Sequence, residues 1–263
     1  MIGFIGGGNM AEALIKGLTT LGTTDIVVSE PDGQKRARLE KLYGVKTVAD
    51  GRLVVSSCDV IVLAVKPQVM DKVLEELGDM KLGAKTVISI AAGITLSYLT
   101  QKLGTENVIR VMPNTPALVL SGMSAIARAR GATDEGFSAT VKIFSAVGKT
   151  VEVAESDMDA VTALSGSGPA FAAYFAWAMV DAAVALGLTA EVASVLALQT
   201  IAGTVKLLET GRHPAQLIEA VASPGGTTEA GLRVLDEKGF KEIVADTLNA
   251  AAKRSAELGA SKK

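Results

Sequence analysis

The stretch GFIGGGNMAEAL, residues Gly3–Leu14, decides the fold that this chain is expected to adopt. A short apolar run leads directly into three glycines, and an amphipathic helical pattern follows from Met10. In the pattern G-x-G-x-x-A, Gly6 permits a tight turn, Gly8 lets the backbone approach a pyrophosphate, and the small Ala11 lets helix and strand pack closely. The N–H groups at the helix N-terminus attract the phosphates. The motif predicts a dinucleotide-binding turn, and the alternative is a turn with a structural role only.

Residues 1–154 alternate short apolar runs with helical patterns. Nearly continuous apolar strands separated by helices indicate a parallel sheet covered on both faces. We therefore expect an α/β domain of the Rossmann type. The predicted strands are IGFI, Asp25–Ser29, Asp59–Val65, Thr86–Ala91 and Asn107–Met112, and a last pair, MSAIARA and GKTVEVA, brackets the helical pattern Asp134–Val147 at the sheet edge.

From Glu155 onward the strand pattern stops and alanine-rich helical patterns replace it. The chain is expected to form two domains: a dinucleotide-binding domain at 1–154 and an all-α domain at 155–263. The predicted helices of the second domain are Pro169–Leu186, Ala190–Leu208, Pro214–Val221, Thr227–Lys238 and Lys241–Leu258.

Composition narrows the classes of function. The formal net charge is −2, so a general affinity for nucleic acid is not expected. Cys58 is the only cysteine, which favours a reducing compartment, and the N-terminal sequence lacks the basic region of a signal peptide. We therefore expect a cytoplasmic protein, and we expect no metal site.

The segment Pro169–Leu188 is long and apolar enough to span a bilayer, but it carries Asp181 and consists mainly of alanine. A buried or interface helix is the preferred interpretation, and no membrane partner is expected. A helical domain so rich in alanine, in a chain with only 4% aromatic residues, is expected to share its core with a second subunit. The sequence therefore predicts a homodimer.

The end of the second predicted strand bears on the choice between NAD and NADP. Glu30 follows the glycines at the distance where a carboxylate usually meets the ribose 2′-hydroxyl. Against this, Ser29 could bond a 2′-phosphate, and Lys35 and Arg36 lie within the next turn. The charged residues could equally be a solvated helix start, so the sequence leaves the cofactor preference open.

Three further residues have both a functional and a structural interpretation. Lys66, in VLAVKP, follows a strand at the cleft and is either catalytic or a packed stem with an exposed charge. Asn114, in RVMPNTPA, either offers its amide to a ligand or satisfies its own turn. His213 precedes Pro214 and is expected to end one helix and start another rather than act as an acid.

With these pieces in order, the chain resembles pyrroline-5-carboxylate reductase over essentially its whole length. The resemblance rests on GFIGGGNMA, LAVKP, SIAAGI (Ser89–Ile94), MPNTPA, ALSGSGPA (Ala163–Ala170) and ASPGGTTEAG, which occur in the family's order. It implies a dinucleotide-binding domain followed by a helical dimerisation domain, in dimers that often assemble into decamers, with the neighbouring subunit completing the substrate pocket. The implied reaction is hydride transfer from NADPH, with NADH as the alternative, to C5 of a cyclic imine, giving L-proline.

The resemblance also implies roles for individual residues. Thr228 is the expected catalytic residue, and Gly225, Gly226, Thr227 and Thr228 are expected to hold the substrate. Many members have an asparagine near the adenosine ribose where this chain has Gly51, which weakens the case for 2′-phosphate recognition. The expected cofactor-binding residues are Gly6, Gly7, Gly8, Asn9, Met10, Ser29, Ala64, Val65, Lys66, Pro67, Ala92, Gly93 and Asn114.

The turn SPGGTT, beginning at Ser223, suits an imine that carries a carboxylate. The first N–H groups of a helix have no partners of their own, so Gly225, Gly226 and Thr227 are expected to point theirs at the carboxylate. The Thr228 hydroxyl could then reach the ring nitrogen. No strong acid is required, because a protonated imine already carries the electrophilic charge.

Three alternatives remain at this point. SPGGTT could be an ordinary helix start capped by Ser223. The enzyme could reduce another imine or a β-hydroxyacid, although Ser165–Asp181 contains no lysine of the kind that hydroxyacid dehydrogenases use as a proton donor. The chain could also be a dinucleotide-binding protein without catalytic activity.

Overall fold

The computed structural model describes residues 1–260 and confirms an α/β N-terminal part followed by a helical part. The strands and helices of the N-terminal part are β1 Ile2–Ile5, α1 Asn9–Thr20, β2 Ile26–Ser29, α2 Gly33–Tyr43, β3 Lys46–Val48, α3 Gly51–Ser57, β4 Val60–Leu63, α4 Met70–Gly78, β5 Thr86–Ser89, α5 Leu96–Leu103, β6 Val108–Met112, β7 Gly122–Arg128, α6 Asp134–Ser145 and β8 Gly148–Glu152.

All eight strands belong to one sheet in the order β3-β2-β1-β4-β5-β6-β7-β8. Every neighbouring pair is parallel except β6 and β7, which are antiparallel. The predicted last pair does close the sheet edge. Strand β3 was missed by the sequence analysis because its three residues are too few to show a strand pattern.

The sheet is covered on both faces, as its apolar strands require. On one face, Phe4, Val28 and Val62 pack against helices α1, α2 and α6. On the other, Ile61 and Val87 pack against α3, α4 and α5. Consecutive residues of β4 thus point to opposite faces, and both faces are buried.

The helical part has its elements close to the predicted bounds. They are α7 Met158–Val161, a π-helical turn Thr162–Gly166, α8 Gly168–Ala185, α9 Ala190–Glu209, α10 Pro214–Val221, α11 Thr227–Glu237 and α12 Phe240–Ala260. His213 caps α10, because its Nδ1 accepts the Ala215 N–H at 3.2 Å and Gln216 accepts the His213 N–H. The prediction that His213 starts a helix is therefore confirmed, whereas the preceding helix, α9, already ends at Glu209.

Contacts divide the chain into two compact units. One comprises Met1–Ser167 with the chain from Asn249 onward, and the other comprises Gly168–Leu248. The end of α12 belongs to the first unit, where the Ser255 hydroxyl donates to Asp159 at 2.7 Å. The boundary predicted at 154 follows the change from strands to helices rather than this division, and it stays a prediction.

Apolar side chains of the second unit remain exposed in the single chain. Tyr174 and Trp177 of α8 are 69% and 61% exposed, and no residue of α8 is buried. Two helical stretches, Glu155–Ala185 and Ala190–Glu209, are long and apolar enough to cross a membrane by length and composition alone. Exposed apolar surfaces of this extent are typical of sites that bind another protein or a membrane.

Candidate active site

The glycine turn joins β1 to α1 and leaves the start of that helix open. Gly6 has φ 101°, and a Cβ atom there would lie 2.7 Å from the Ala64 carbonyl oxygen, so a larger residue does not fit. Gly8 is the N-cap residue of α1, and no side chain caps the helix. A Cβ atom at Gly8 would meet no described atom within 4 Å. The turn thus fits a pyrophosphate: its backbone faces open space at a helix N-terminus.

A cleft of about 530 Å³ lies at the carboxyl ends of β1, β2 and β4. The strand order reverses between β1 and β4, which is where doubly wound sheets bind their ligands. The predicted cofactor residues that line this cleft are Gly6, Gly8, Ser29, Ala64, Val65 and Lys66. Those that do not line it are Gly7, Asn9, Met10, Pro67, Ala92, Gly93 and Asn114. The cofactor role of the residues in both groups stays a prediction.

The cationic side chains of the cleft differ in what they contact. Lys72 lies 3.9 Å from Glu76, whereas neither Lys35 nor Lys66 takes part in any ion pair found among residues 1–260. Both are therefore suited to phosphate groups of a bound dinucleotide. The catalytic interpretation of Lys66 has no geometric support beyond its place in the cleft.

The Glu30 carboxylate, which in an NAD site would be expected to meet the ribose 2′-hydroxyl, is bonded to the protein backbone instead. The Glu30 carboxylate accepts the Gly7 N–H at 2.9 Å and the Asp32 N–H at 3.1 Å. Arg36 donates to the carbonyl oxygens of Glu30 and Pro31 at 2.7 and 2.9 Å. Glu30 and Arg36 thus hold the local backbone and are not a solvated helix start.

Ser29 and Gly51 lie together in this part of the cleft. A Cβ atom at Gly51 would be 3.7 Å from the Ser29 hydroxyl oxygen, so the glycine leaves room beside that hydroxyl. Asp50 caps α3 by accepting the Arg52 N–H at 2.9 Å, which places Gly51 in the first turn of the helix. The side chains of Ser29 and Lys35 both line this cleft, and the role of Ser29 beside the adenosine stays a prediction.

The side-chain amide of Asn114 is bonded within the chain. Its Nδ2 donates to the carbonyl and the hydroxyl of Ser165 at 3.2 and 3.3 Å, and its Oδ1 accepts the Met123 N–H at 2.8 Å. This supports the structural alternative for the side chain, although the bonds reach distant residues rather than its own turn. A role beside the nicotinamide is left to its backbone and stays a prediction.

Gly93 adopts φ 73° and lies beside the end of α12, where an added Cβ atom would be 3.4 Å from the Gly259 nitrogen. A cavity of about 180 Å³ next to it is lined by Arg110 and Glu155, whose side chains form an ion pair at 3.2 Å. Glu155 also accepts the Leu96 N–H at 2.6 Å. Glu155 therefore connects β6, through Arg110, to the start of α5, through Leu96.

The turn SPGGTT forms an uncapped helix start and differs from the sequence expectations in two respects. Gly226 is the N-cap residue of α11, so Ser223 is not the cap. The Gly226 N–H donates to the Ser223 carbonyl at 2.9 Å, and the Gly225 N–H donates to the Glu229 carboxylate. The expectation that Gly225 and Gly226 point their N–H groups at a ligand is thus wrong for this conformation.

The amides left to receive an anion are those of the first three residues of α11, Thr227, Thr228 and Glu229. A cavity of about 620 Å³ lies beside the turn. Two of the predicted substrate residues, Gly225 and Gly226, line it, and Thr227 and Thr228 do not. Its charged lining residues are Arg233 and the acidic Glu229, Asp236 and Glu237.

Comparisons with known proteins place this geometry in a family. The family model described as pyrroline-5-carboxylate reductase dimerisation matches residues 155–258, and the model described as NADP oxidoreductase, coenzyme F420-dependent, matches residues 1–93. A pyrroline-5-carboxylate reductase of Synechocystis sp. is 45% identical to the chain, over 98% of each. The chain belongs to the pyrroline-5-carboxylate reductase family.

Solved structures of this family have the same fold. A pyrroline-5-carboxylate reductase of Coxiella burnetii superposes with a TM-score of 0.93 at 37% identity, covering 98% of this chain and 97% of its own. The enzyme of Plasmodium falciparum, solved with NADP bound, gives a TM-score of 0.87 at 33% identity, over 98% and 97% of the two chains. The predicted fold class and family resemblance are confirmed, and the cofactor is a nicotinamide dinucleotide.

The open space at Gly8 makes a sharp prediction for cofactor binding. Gly8→Val should fold normally, because φ −76° and ψ −179° suit any residue and the new side chain meets no described atom. The same side chain should fill the space needed by the pyrophosphate and weaken NADPH binding at least about 100-fold, roughly 2.7 kcal/mol. Isothermal titration with NADPH measures the binding, and thermal unfolding measures the fold.

Gly33→Ala is the control, because Gly33 opens α2 outside the cleft and has only the Arg36 side chain nearby. Normal NADPH affinity in Gly8→Val would contradict the assignment of the glycine turn.

Proposed function

We propose that this protein reduces L-1-pyrroline-5-carboxylate to L-proline, the last step of proline biosynthesis. The observation that carries the proposal is the uncapped helix start in an intact SPGGTT turn. The chain that holds this turn is 45% identical, over 98% of its length, to a pyrroline-5-carboxylate reductase. The second helix start, at the glycine turn, suits the dinucleotide. One polypeptide thus offers an anion-receptive helix start for each reactant.

The cofactor would be held by residues at the carboxyl ends of the strands. The backbone from Gly6 to Met10 would receive the pyrophosphate, and Ala64–Pro67 would pass beside the ribose and nicotinamide, with Ala92 and Gly93 after β5. When bound, the reduced nicotinamide supplies the hydride. The protein's own contribution is to hold both reactants in a fixed orientation and keep water away from them.

The substrate would be oriented by the first turn of α11. The N–H groups of Thr227 and Thr228 would receive its carboxylate, while Gly225 and Gly226 shape the turn through their internal bonds. The Thr228 hydroxyl would bond the ring nitrogen. Hydride adds to C5 of the protonated imine, the C=N double bond becomes single, and the nitrogen keeps its proton, so no residue has to supply one.

The function is tested by following the oxidation of the reduced nicotinamide by absorbance. With pyrroline-5-carboxylate as the imine, we expect oxidation that depends on the imine and yields proline. Folded protein that binds the cofactor and oxidises it with a different imine would reassign the substrate. Cofactor binding without turnover on any cyclic imine would instead favour a non-catalytic dinucleotide-binding protein.

Thr228→Ala tests the catalytic assignment. Removing the hydroxyl should lower kcat about tenfold or more, the loss of one hydrogen bond of about 1.5 kcal/mol to a charged group. The dissociation constant of NADPH should remain within about twofold of wild type, since Thr228 is not part of the glycine turn. Steady-state kinetics and isothermal titration give the two quantities.

Thr228→Ser is the matched control, because it keeps the hydroxyl and should recover most of kcat. If the alanine variant turned over as fast as the wild type, Thr228 would have no role in the chemistry.

We also propose that NADPH is preferred over NADH. Two carboxylates line the cleft: that of Glu76 lies 3.9 Å from Lys72, and that of Glu30 is held toward the glycine turn by two backbone N–H groups rather than toward a 2′-hydroxyl. Ser29 and Lys35 line the same end of the cleft, and Lys35 has no partner among the ion pairs of residues 1–260. A hydroxyl and an ammonium group together suit a 2′-phosphate.

Lys35→Gln should therefore raise the KM for NADPH roughly tenfold, because it removes a charge-assisted hydrogen bond of about 1.5 kcal/mol. The KM for NADH should change less than about twofold, since NADH has no phosphate at this position. Lys41→Gln, on the same helix but outside the cleft, is the control. Equal changes for both cofactors would exclude Lys35 from 2′-phosphate recognition.

The protein is a homo-oligomer through its dimerisation domain, and we propose that the basic unit is a dimer. The exposed apolar side chains of α8 and α9 support an interface there, including Trp177, Val195 and Leu198. We further propose that five dimers form a decamer, that the partner subunit completes the substrate pocket, and that the protein acts in the cytoplasm. The single buried cysteine, Cys58, supports a reducing compartment.

A further inference from the structure

Glu30 occupies a position that the dinucleotide-binding pattern normally reserves for ribose recognition, yet its surroundings differ from those of a ribose ligand. The residue is 7% exposed, and its backbone N–H donates to the Val48 carbonyl at 3.0 Å. Its carboxylate is turned toward the glycine turn, where it accepts the buried N–H of Gly7 at 2.9 Å. Its second oxygen accepts the Asp32 N–H at 3.1 Å.

The hydrogen bond between the Gly7 N–H and the Glu30 carboxylate fixes the orientation of the glycine turn. The Gly6 N–H donates to the Ser29 carbonyl at 2.8 Å, so two consecutive amides, those of Gly6 and Gly7, are both bound to the end of β2. A Cβ atom at Gly7 would lie 3.2 Å from the Glu30 Cβ atom, so the turn rests directly on the Glu30 side chain. The amides that face the open side of the turn are therefore those that follow, from Gly8 into α1.

A buried carboxylate is costly unless hydrogen bonds compensate for its lost hydration. Here both oxygens have backbone donors, and turning the side chain away from the glycine turn toward a ribose would break the bond to Gly7 and leave that buried N–H without a partner. The bond to Gly7 does not depend on what the ribose carries. Its effect on binding should therefore be the same for NADH and NADPH.

We infer that Glu30 is a positioning residue for the pyrophosphate turn and not a ligand of the ribose. It sets the orientation of Gly7, and through it the amides at Gly8 and the start of α1, before any dinucleotide binds. The inference rests on the proposed cofactor role of this turn. It is tested by binding constants, which remain measurable even if the imine assigned as substrate were wrong.

The experiment is isothermal titration of wild type, Glu30→Ala and Glu30→Gln with NADPH and NADH separately, with thermal unfolding of each protein. Glu30→Ala should weaken both cofactors by the same factor, about tenfold, because it removes the carboxylate that orients Gly7, together with its bond to Asp32. Glu30→Gln should weaken both by only about two- to threefold, because its side-chain oxygen can still accept the Gly7 N–H. In both variants the NADPH-to-NADH affinity ratio should stay within about twofold of wild type.

Glu40→Ala is the matched control. It also removes a hydrogen-bonded carboxylate, 2.6 Å from the Thr47 hydroxyl, but it lies outside the cleft and should leave both affinities unchanged. A loss confined to NADH in Glu30→Ala would make Glu30 a ribose ligand and overturn the inference. Lower thermal stability with both affinities unchanged would overturn it too, since the bond would then support only the fold. If Glu30→Ala does not fold, the same two criteria apply to Glu30→Gln.

Discussion

The N–H groups left unpaired at the start of α1 are the feature on which the function of this structure depends. They attract a pyrophosphate only if the backbone before them is bare, and the glycines between Ile5 and Asn9 provide this. A side chain at Gly6 would collide with the Ala64 carbonyl oxygen, whereas a side chain at Gly8 would extend into open space. The close packing at Gly6 and the open space at Gly8 together give a turn that is closely packed against the sheet and accessible to a ligand.

The same arrangement recurs at the start of α11, in the second unit of the chain. In each turn a glutamate carboxylate accepts the N–H of a glycine: Glu30 that of Gly7, and Glu229 that of Gly225. In each, the helix that follows has no side-chain cap. The two carboxylates accept the glycine N–H groups that precede each helix. The first N–H groups of the helix itself stay available for anionic ligands.

The helical unit explains why the family is oligomeric. Helices α8 and α9 present large apolar side chains such as Tyr174, Trp177 and Leu196 to the surface of the single chain. Exposed apolar surface of this kind costs free energy in water and is relieved by association. The dimerisation family model covers both helices. The residues of the proposed cofactor cleft thus all lie in one unit, and the exposed apolar helices lie in the other.

The sequence by itself determined the parallel sheet, the glycine turn and the helical C-terminal part, because these follow from local periodicity and from residues a few positions apart. It did not reveal β3, which is too short for a pattern, or the partners of Glu30, Asn114 and Glu229. Two of those partners are distant: Gly7 is 23 residues from Glu30, and Ser165 is 51 residues from Asn114. Only the tertiary structure decides such pairs, because a polar side chain that becomes buried must bond whichever group folding brings beside it.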